Sequence, residues 1–318
     1  MLTGTILGLY QYAEQVGFPI VVLLNEPGDV NWALTHTTMP ESDAAKTPNM
    51  WYGPLLFNHA DADCEDYKNH QTWKICKNVL FPSDWFRAWI NTGFPYLDAE
   101  KAEGRCTAVW PSGVDTNFYS PDPAVEKTQD YFIYFKNQSY EDLKAVQGYL
   151  FENWFGLKGT VLTYYHYDPV MLRAQARASK FCILLDATET QGLAPLEILA
   201  CDCPLFVLDT TTYVGNKKYL TGATSVTCWD ACCGIKSSFK SLGHDFPTFL
   251  HHLPTFHPHP WVQANYSFSA AARRLLLLIS RKHHQPQDSK EEDGRMKEES
   301  KGGRASGDGG DLTNHTAK

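Results

Sequence analysis

The chain has 318 residues, 43% of them hydrophobic and 13% aromatic, enough to build a sizeable core and to exclude wholesale disorder. Charged residues make up 20% and the formal net charge is −8, which excludes the clustered lysines and arginines of a nucleic-acid binder. A small anion remains compatible, because backbone dipoles and one or two cations suffice to hold it.

The longest apolar runs, Ile20–Leu24 and Leu275–Ile279, are too short to span a bilayer. The first basic residue is Lys46, so the start lacks the charged segment of an export signal. The nine cysteines are odd in number and scattered, which suits reduced thiols. The sequence therefore predicts a cytoplasmic protein.

In chain order, Phe18–Asn25 reads as a buried strand that ends in the loop Glu26-Pro27-Gly28-Asp29. Asn78–Pro82 reads as a second strand, followed by a helix capped by Ser83 or Asp84, with Trp85, Phe86, Trp89 and Ile90 on one side. Thr107–Trp110 is a third strand and Pro111-Ser112-Gly113 a turn. After Pro121 and Pro123 strands and helices alternate regularly. Tyr131–Phe135, Thr160–Tyr165, Phe181–Asp186 and Leu205–Leu208 are strands; Glu141–Phe155, Pro169–Ser179 and Leu193–Cys201 are helices. Three consecutive β-α-β units predict a parallel sheet with ligands beyond the carboxyl ends of its strands. Phe268–Ser280 is a closing helix with Arg273 and Arg274 on its wetter side. From His283 the chain is almost devoid of apolar residues and reads as a disordered tail. The Pro-rich stretch Tyr119–Pro123 divides the rest, giving domains 1–122 and 123–282 and a tail 283–318.

The segment richest in chemistry is Phe181–Asp209, FCILLDATETQGLAPLEILACDCPLFVLD. A buried strand ends at Asp186, a loop follows, Gly192 allows close backbone approach, and Pro195 suits the first turn of a helix. The helix start then offers free N–H groups to a phosphate at the strand ends. Glu189 in the loop and Glu197, placed in the first helical turn, would face the same crevice and accept hydrogen bonds from ribose or hexose hydroxyls. An acidic residue there also has a plain structural explanation, since it complements the helix dipole.

Glu189 to Glu197, followed by Ile198-Leu199-Ala200-Cys201-Asp202-Cys203-Pro204, resembles the Glu-x7-Glu signature of retaining GT-B glycosyltransferases, the group of glycogen and sucrose synthases. Gly113-Val114-Asp115, with Pro121 further on, is similar to the segment that leads into that family's second domain, and the strand ending in Lys136 is similar to one that places a cation on the donor diphosphate. The resemblance implies an α/β fold of two Rossmann-like domains facing a cleft, the first short or truncated. It implies hexose transfer from a UDP-, GDP- or ADP-hexose to an unidentified acceptor, with retention, and without metal or cofactor. Residue by residue, it implies that Glu197 holds the donor ribose and Glu189 the hexose hydroxyls. Gly192 and Leu193 would offer N–H groups to phosphate, and Lys136 would neutralise the leaving diphosphate. The end of Thr160–His166 would lie near the nucleobase.

The chain departs from the pattern in three places. Gln191 replaces an aromatic, Asn137 and Gln138 stand where further positive charge is usual, and no Gly-rich turn precedes Phe18. A non-catalytic nucleotide-sugar-binding module is therefore the alternative reading, and a GT-B-shaped sugar epimerase a third. Metal-like patterns fall short. Asp61-Ala62-Asp63 lacks a suitable strand before it, Cys201-x-Cys203 and Cys228-x3-Cys232-Cys233 lack knuckle spacing, and the prolines among His251, His252, His257 and His259 suggest a surface loop.

Overall fold

Two parallel sheets carry the architecture. The computed structural model describes residues 23–24, 51–52, 78–93, 106–215 and 218–283. In the first sheet β1 (Leu23–Leu24), β2 (Trp51–Tyr52), β3 (Asn78–Phe81) and β4 (Cys106–Val109) lie side by side in sequence order, every pair parallel. Helix α1 (Asp84–Gly93) follows β3. Its Phe86 and Trp89 are buried, and Trp85 and Trp89 meet the ring of Tyr213 at centroid distances of 5.9 and 5.5 Å.

The second sheet contains β5 (Gln129–Lys136), β6 (Gly159–Thr163), β7 (Ser179–Asp186), β8 (Leu205–Leu208) and β11 (Gly234–Ser237), in the order β11-β8-β7-β5-β6, all parallel. Numbered along the chain, this is the flavodoxin-like doubly wound order 2-1-3-4-5, with β6 at one edge and β11 at the other. The strands are near-continuous apolar runs because both faces are covered. Phe132, Tyr134, Cys182, Leu184, Leu205 and Val207 point into one core cluster. Ile133, Phe135, Ile183, Leu185, Phe206 and Leu208 point into the other, in strict alternation.

The connecting helices start where polar side chains can cap them. Ser139 Oγ accepts from the amide of Asp142 at 3.1 Å to begin α2 (Tyr140–Asn153). Asp168 Oδ1 accepts from the amide of Met171 at 2.8 Å to begin α3 (Pro169–Ala178), with Pro169 preset for the first turn. Helix α4 (Leu193–Ala200) has no such side-chain cap, and Pro195 to Ala200 are all buried.

Beyond β8 the chain holds elements the sequence pattern did not single out. An antiparallel hairpin pairs β9 (Thr212–Gly215) with β10 (Lys218–Thr221), and β11 extends the sheet. Helices α5 (Leu242–His252) and α6 (Pro258–Tyr266) follow. The histidine-rich stretch is therefore not one surface loop: His251 and His252 close α5, and His259 sits in the first turn of α6. The prolines explain the difference, because Pro258 at a helix start removes an N–H that would be unpaired anyway.

Helix α7 (Phe268–His283) has Ala271 and Leu275 buried, Arg273 exposed, and Arg274 half-buried on the carbonyl of Asn265. The chain divides into two compact units, Met1–Leu276 and Leu277–Lys318. Both sheets lie in the first, and the described part of the second is the end of α7. The segment after β4 is fastened to the end of α6 and the start of α7: Trp110 Nε1 donates to the carbonyl of Ala271 at 2.7 Å, and the Val114 amide to that of Tyr266 at 2.8 Å. Gly113 is required there, since a Cβ would stand 2.8 Å from the carbonyl oxygen of Ser267. The expected strand at Phe18–Asn25 is described at Leu23–Leu24 alone. Residues 284–318 of the expected tail, and the Asp61-Ala62-Asp63 pattern, lie outside the described residues.

Candidate functional site

The parallel register of β5 and β7 sets Lys136 opposite Asp186 at the carboxyl ends of both strands. Neighbours in register project to the same face, so the two side chains meet. Lys136 Nζ forms an ion pair with Glu189 from the following loop and lies 3.9 Å from Asp186 Oδ2 and 4.6 Å from the centre of the Tyr164 ring. Burial pulls the Lys136 ammonium down from its ordinary range, and the charge of Asp186 works against that pull. Asp186 is fully buried, and burial pushes its carboxyl up to about 7 despite the lowering effects of Lys136 and the Ala187 amide.

The loop 187–192 is held through its backbone from several sides. The Glu189 amide donates to the carbonyl of Thr224 at 3.0 Å, while its own carbonyl accepts from Trp85 Nε1 at 2.9 Å. Ser83 Oγ donates to the carbonyl of Thr190 at 2.6 Å, and Thr227 Oγ1 to that of Gln191. The Gln191 side chain binds Ser112 reciprocally, accepting from its amide at 2.9 Å and donating to its carbonyl at 2.8 Å. The residue that departs from the family pattern therefore works as a buried staple between the loop and the segment after β4. Gln191→Leu would leave two buried backbone groups unpaired, so we expect a loss of about 2–4 kcal/mol, read as a lowered Tm.

Gly192 then adopts φ 77° and ψ 70°, a left-handed conformation that glycine takes without strain, and turns the chain into α4. Glu197 is the fifth residue of α4 rather than part of its first turn, so it does not answer the helix dipole as expected. The glycine turn starts the helix at Leu193, as expected, which puts Glu197 past the first turn. The Glu197 side chain is 7% exposed, and burial raises its carboxyl to about 7, with the Tyr119 phenol favouring the charged form. Tyr119 Oη is buried near Glu197 without a well-formed hydrogen bond. The Tyr134 and Tyr167 hydroxyls bond each other at 2.9 Å, and Tyr167 feels the charge of both Glu197 and Asp186. Lys136 and Glu189 are thus in direct contact, and tyrosines lie between the surroundings of Asp186 and Glu197.

Sequence reasoning missed Asp186 and the tyrosines 119, 134 and 167. The available signal for Asp186 was a charged residue ending a fully apolar strand. After β6, Tyr165 is 84% exposed with φ 67°, at the loop expected near a nucleobase. A carboxylate whose proton is held by burial stabilises the fold at low pH and weakens it as pH rises from the ordinary carboxylate range through about 7. The Tm of Asp186→Asn relative to wild type should therefore increase between pH 5 and pH 8.

A cavity of about 440 Å³ adjoins the loop, lined among others by Ser83, Trp85, Pro111, Thr227, Tyr266 and Arg274. It shares Ser83, Trp85 and Thr227 with the bonds that hold the loop, but does not include Lys136, Glu189 or Glu197. The buried charges at the strand ends carry more chemistry than its half-apolar walls. Among the described residues no group of three His, Cys, Asp or Glu side chains could hold a metal ion, and Cys182, Cys201, Cys203, Cys228, Cys232 and Cys233 are free thiols. No helix among them is long and apolar enough to cross a membrane.

No protein-family model matches this sequence, and no curated protein matches it significantly. Solved structures do. The catalytic domain of starch synthase IV from Arabidopsis thaliana, bound to ADP and acarbose, superposes with a TM-score of 0.52 at 9% identity, over 86% of this chain and 75% of that one. The fold is of the GT-B type. Sucrose-phosphate synthase from Thermosynechococcus elongatus gives 0.47 at 14% identity, over 88% of this chain and 78% of that one. The pneumococcal O-GlcNAc transferase GtfA with UDP and GlcNAc gives 0.48 at 9% identity, over 87% of this chain and 60% of that one. In this GT-B fold Lys136, Asp186 and Glu189 occupy the carboxyl-end crevice where a doubly wound sheet receives ligands.

Proposed function

We propose that the protein transfers a hexose from a nucleotide sugar to an acceptor, with retention and without metal. The observation that carries this reading is the buried Lys136–Glu189 pair at the carboxyl ends of β5 and β7, beside the uncapped start of α4. Lys136 would neutralise the diphosphate as it leaves, and Glu189 would accept hydrogen bonds from the hexose hydroxyls. The Gly192 and Leu193 amides would receive phosphate, and Glu197 the ribose hydroxyls. Because Lys136 and Glu189 occupy each other in the free protein, donor binding must exchange their mutual contact for contacts to diphosphate and sugar. No general base is needed when the leaving phosphate itself assists the incoming hydroxyl, which is the reading that favours retention. We assign residues 123–282 as the donor domain, 1–122 as the acceptor side, and the cytoplasm as the location.

Calorimetric titration of UDP-, GDP- and ADP-hexoses tests the reading; ADP is worth first place, since the starch synthase structure holds it. Selective binding followed by sugar transfer to an acceptor supports it, and no binding by the folded protein overturns it. One observation favours a binding module without catalysis. Gln138, which stands where further positive charge would be expected, donates instead to the Asp186 carbonyl at 3.0 Å and to Thr210 Oγ1 at 3.3 Å. Binding with neither transfer nor hydrolysis would select that reading.

A further inference from the structure

Asp186 ends β7 with its side chain fully buried, and neither carboxylate oxygen has a well-formed hydrogen bond, the Ala187 amide being the one backbone donor that favours its charge. The polar side chains aimed at this residue, Gln138 and Ser225, both donate to its backbone carbonyl instead. A buried carboxylate without a well-formed hydrogen bond is costly, so packing alone does not explain one at this place. Lys136 Nζ lies 3.9 Å away, held opposite by the strand register. Lys136 therefore stands between two carboxylates, one fixed on a sheet strand and the other on the loop that would meet the sugar.

We propose that Asp186 is a positioning residue for the donor diphosphate: ionised, it draws Lys136 onto β7 and offsets its charge, and protonated, it leaves the ammonium to the ligand. The proposal rests on the donor-site reading above. With Asp186 neutral, Lys136 and Glu189 sum to zero; with Asp186 ionised, the three carry one net negative charge beneath a dianionic diphosphate. Burial holds the Asp186 proton up to about pH 7, so donor affinity should fall as pH rises through that value. The groups facing this centre are Lys136 and Tyr134 from β5, Tyr164 and Tyr167 from the segment after β6, and Glu189 from the loop, while Glu197 from α4 is linked to it through Tyr167. Burial raises the three phenols, which stay protonated across this range, whereas Glu197 also titrates near 7. The comparison with Asp186→Asn, not the raw pH profile, isolates Asp186.

The test uses the full chain and two readouts. First, the Lys136 Nζ nitrogen resonance is followed by NMR from pH 5 to 9 without ligand. A shift centred near 7 in wild type that vanishes in Asp186→Asn is expected; a flat resonance in wild type overturns the proposal whether or not a donor binds. Second, the Kd for UDP-, GDP- and ADP-glucose, whose diphosphates do not titrate in this range, is measured at pH 6 and pH 8.5. Wild type and Asp186→Asn should bind alike at pH 6, and the variant about tenfold more tightly at pH 8.5. Equal pH slopes in the two proteins would reduce Asp186 to a structural residue and overturn its positioning role. A titrating Lys136 resonance with no binding by any of the three donors would overturn the donor reading, and the positioning role with it.

Discussion

Glu197→Ala is expected to weaken nucleotide-sugar binding by about ten- to a hundredfold, the value of one or two hydrogen bonds to a charged acceptor. Glu197 is 7% exposed, on a helix whose remaining residues from Pro195 onward are buried, and the Tyr119 phenol beside it lacks a well-formed hydrogen bond. A buried carboxylate in that state is poised to accept donors that arrive from outside, such as the paired hydroxyls of a ribose. Alanine also removes packing volume, so Glu197→Gln provides the control. It keeps the shape and one acceptor oxygen but removes the charge, and should recover part of the affinity. If calorimetry finds both variants binding as wild type does, Glu197 does not touch the donor. If both unfold at lower temperature but bind unchanged once folded, Glu197 is a structural residue.

The second large effect is expected at Lys136. Removing the cation aimed at a leaving diphosphate should lower kcat by about a hundred- to a thousandfold, as the loss of one preorganised charge-stabilising group does elsewhere. Lys136→Met preserves the stem of the side chain while deleting its charge. Its cost to the fold must be read separately, because it leaves Glu189 without its partner and Asp186 without a neighbouring cation. Circular-dichroism melts establish that the variant folds, and single-turnover rates then isolate the chemical step. A normal single-turnover rate in the folded variant would remove Lys136 from the catalytic machinery. A loss confined to Kd would make it a binding group alone.

The second sheet was legible in the sequence because its strands are uninterrupted apolar runs separated by helical stretches, two of them with side-chain N-caps. The observed strands and helices between Gln129 and Leu208 differ from the expected ones by a residue or two at their ends. Glu189 and Gly192 could be singled out because a motif with fixed spacing contains them, and Lys136 because the strand it ends resembles one that carries a cation. Asp186 could not, since its significance comes from register with Lys136 across two strands fifty residues apart, and no local pattern encodes that pairing. The same holds for Tyr119, which is distant in sequence from the Glu197 it approaches. Helix α6 was hidden because a proline and histidine cluster resembles a loop until Pro258 is recognised as a helix start. Gln191 looked like a defect in the motif, and its purpose became visible with Ser112 folded against it.

That staple has a bearing on how the chain can be cut. A fragment beginning at residue 123 would retain all five strands of the second sheet and every candidate ligand-binding residue. It would nevertheless lack Ser83, Trp85 and Ser112, the partners that fix the carbonyls of Glu189 and Thr190 and the side chain of Gln191. Such a fragment could pass every test of secondary structure and still present the loop in the wrong shape. Expression trials that trim the protein to its second sheet would then yield folded material with an empty assay, and the fault would lie in the trimming.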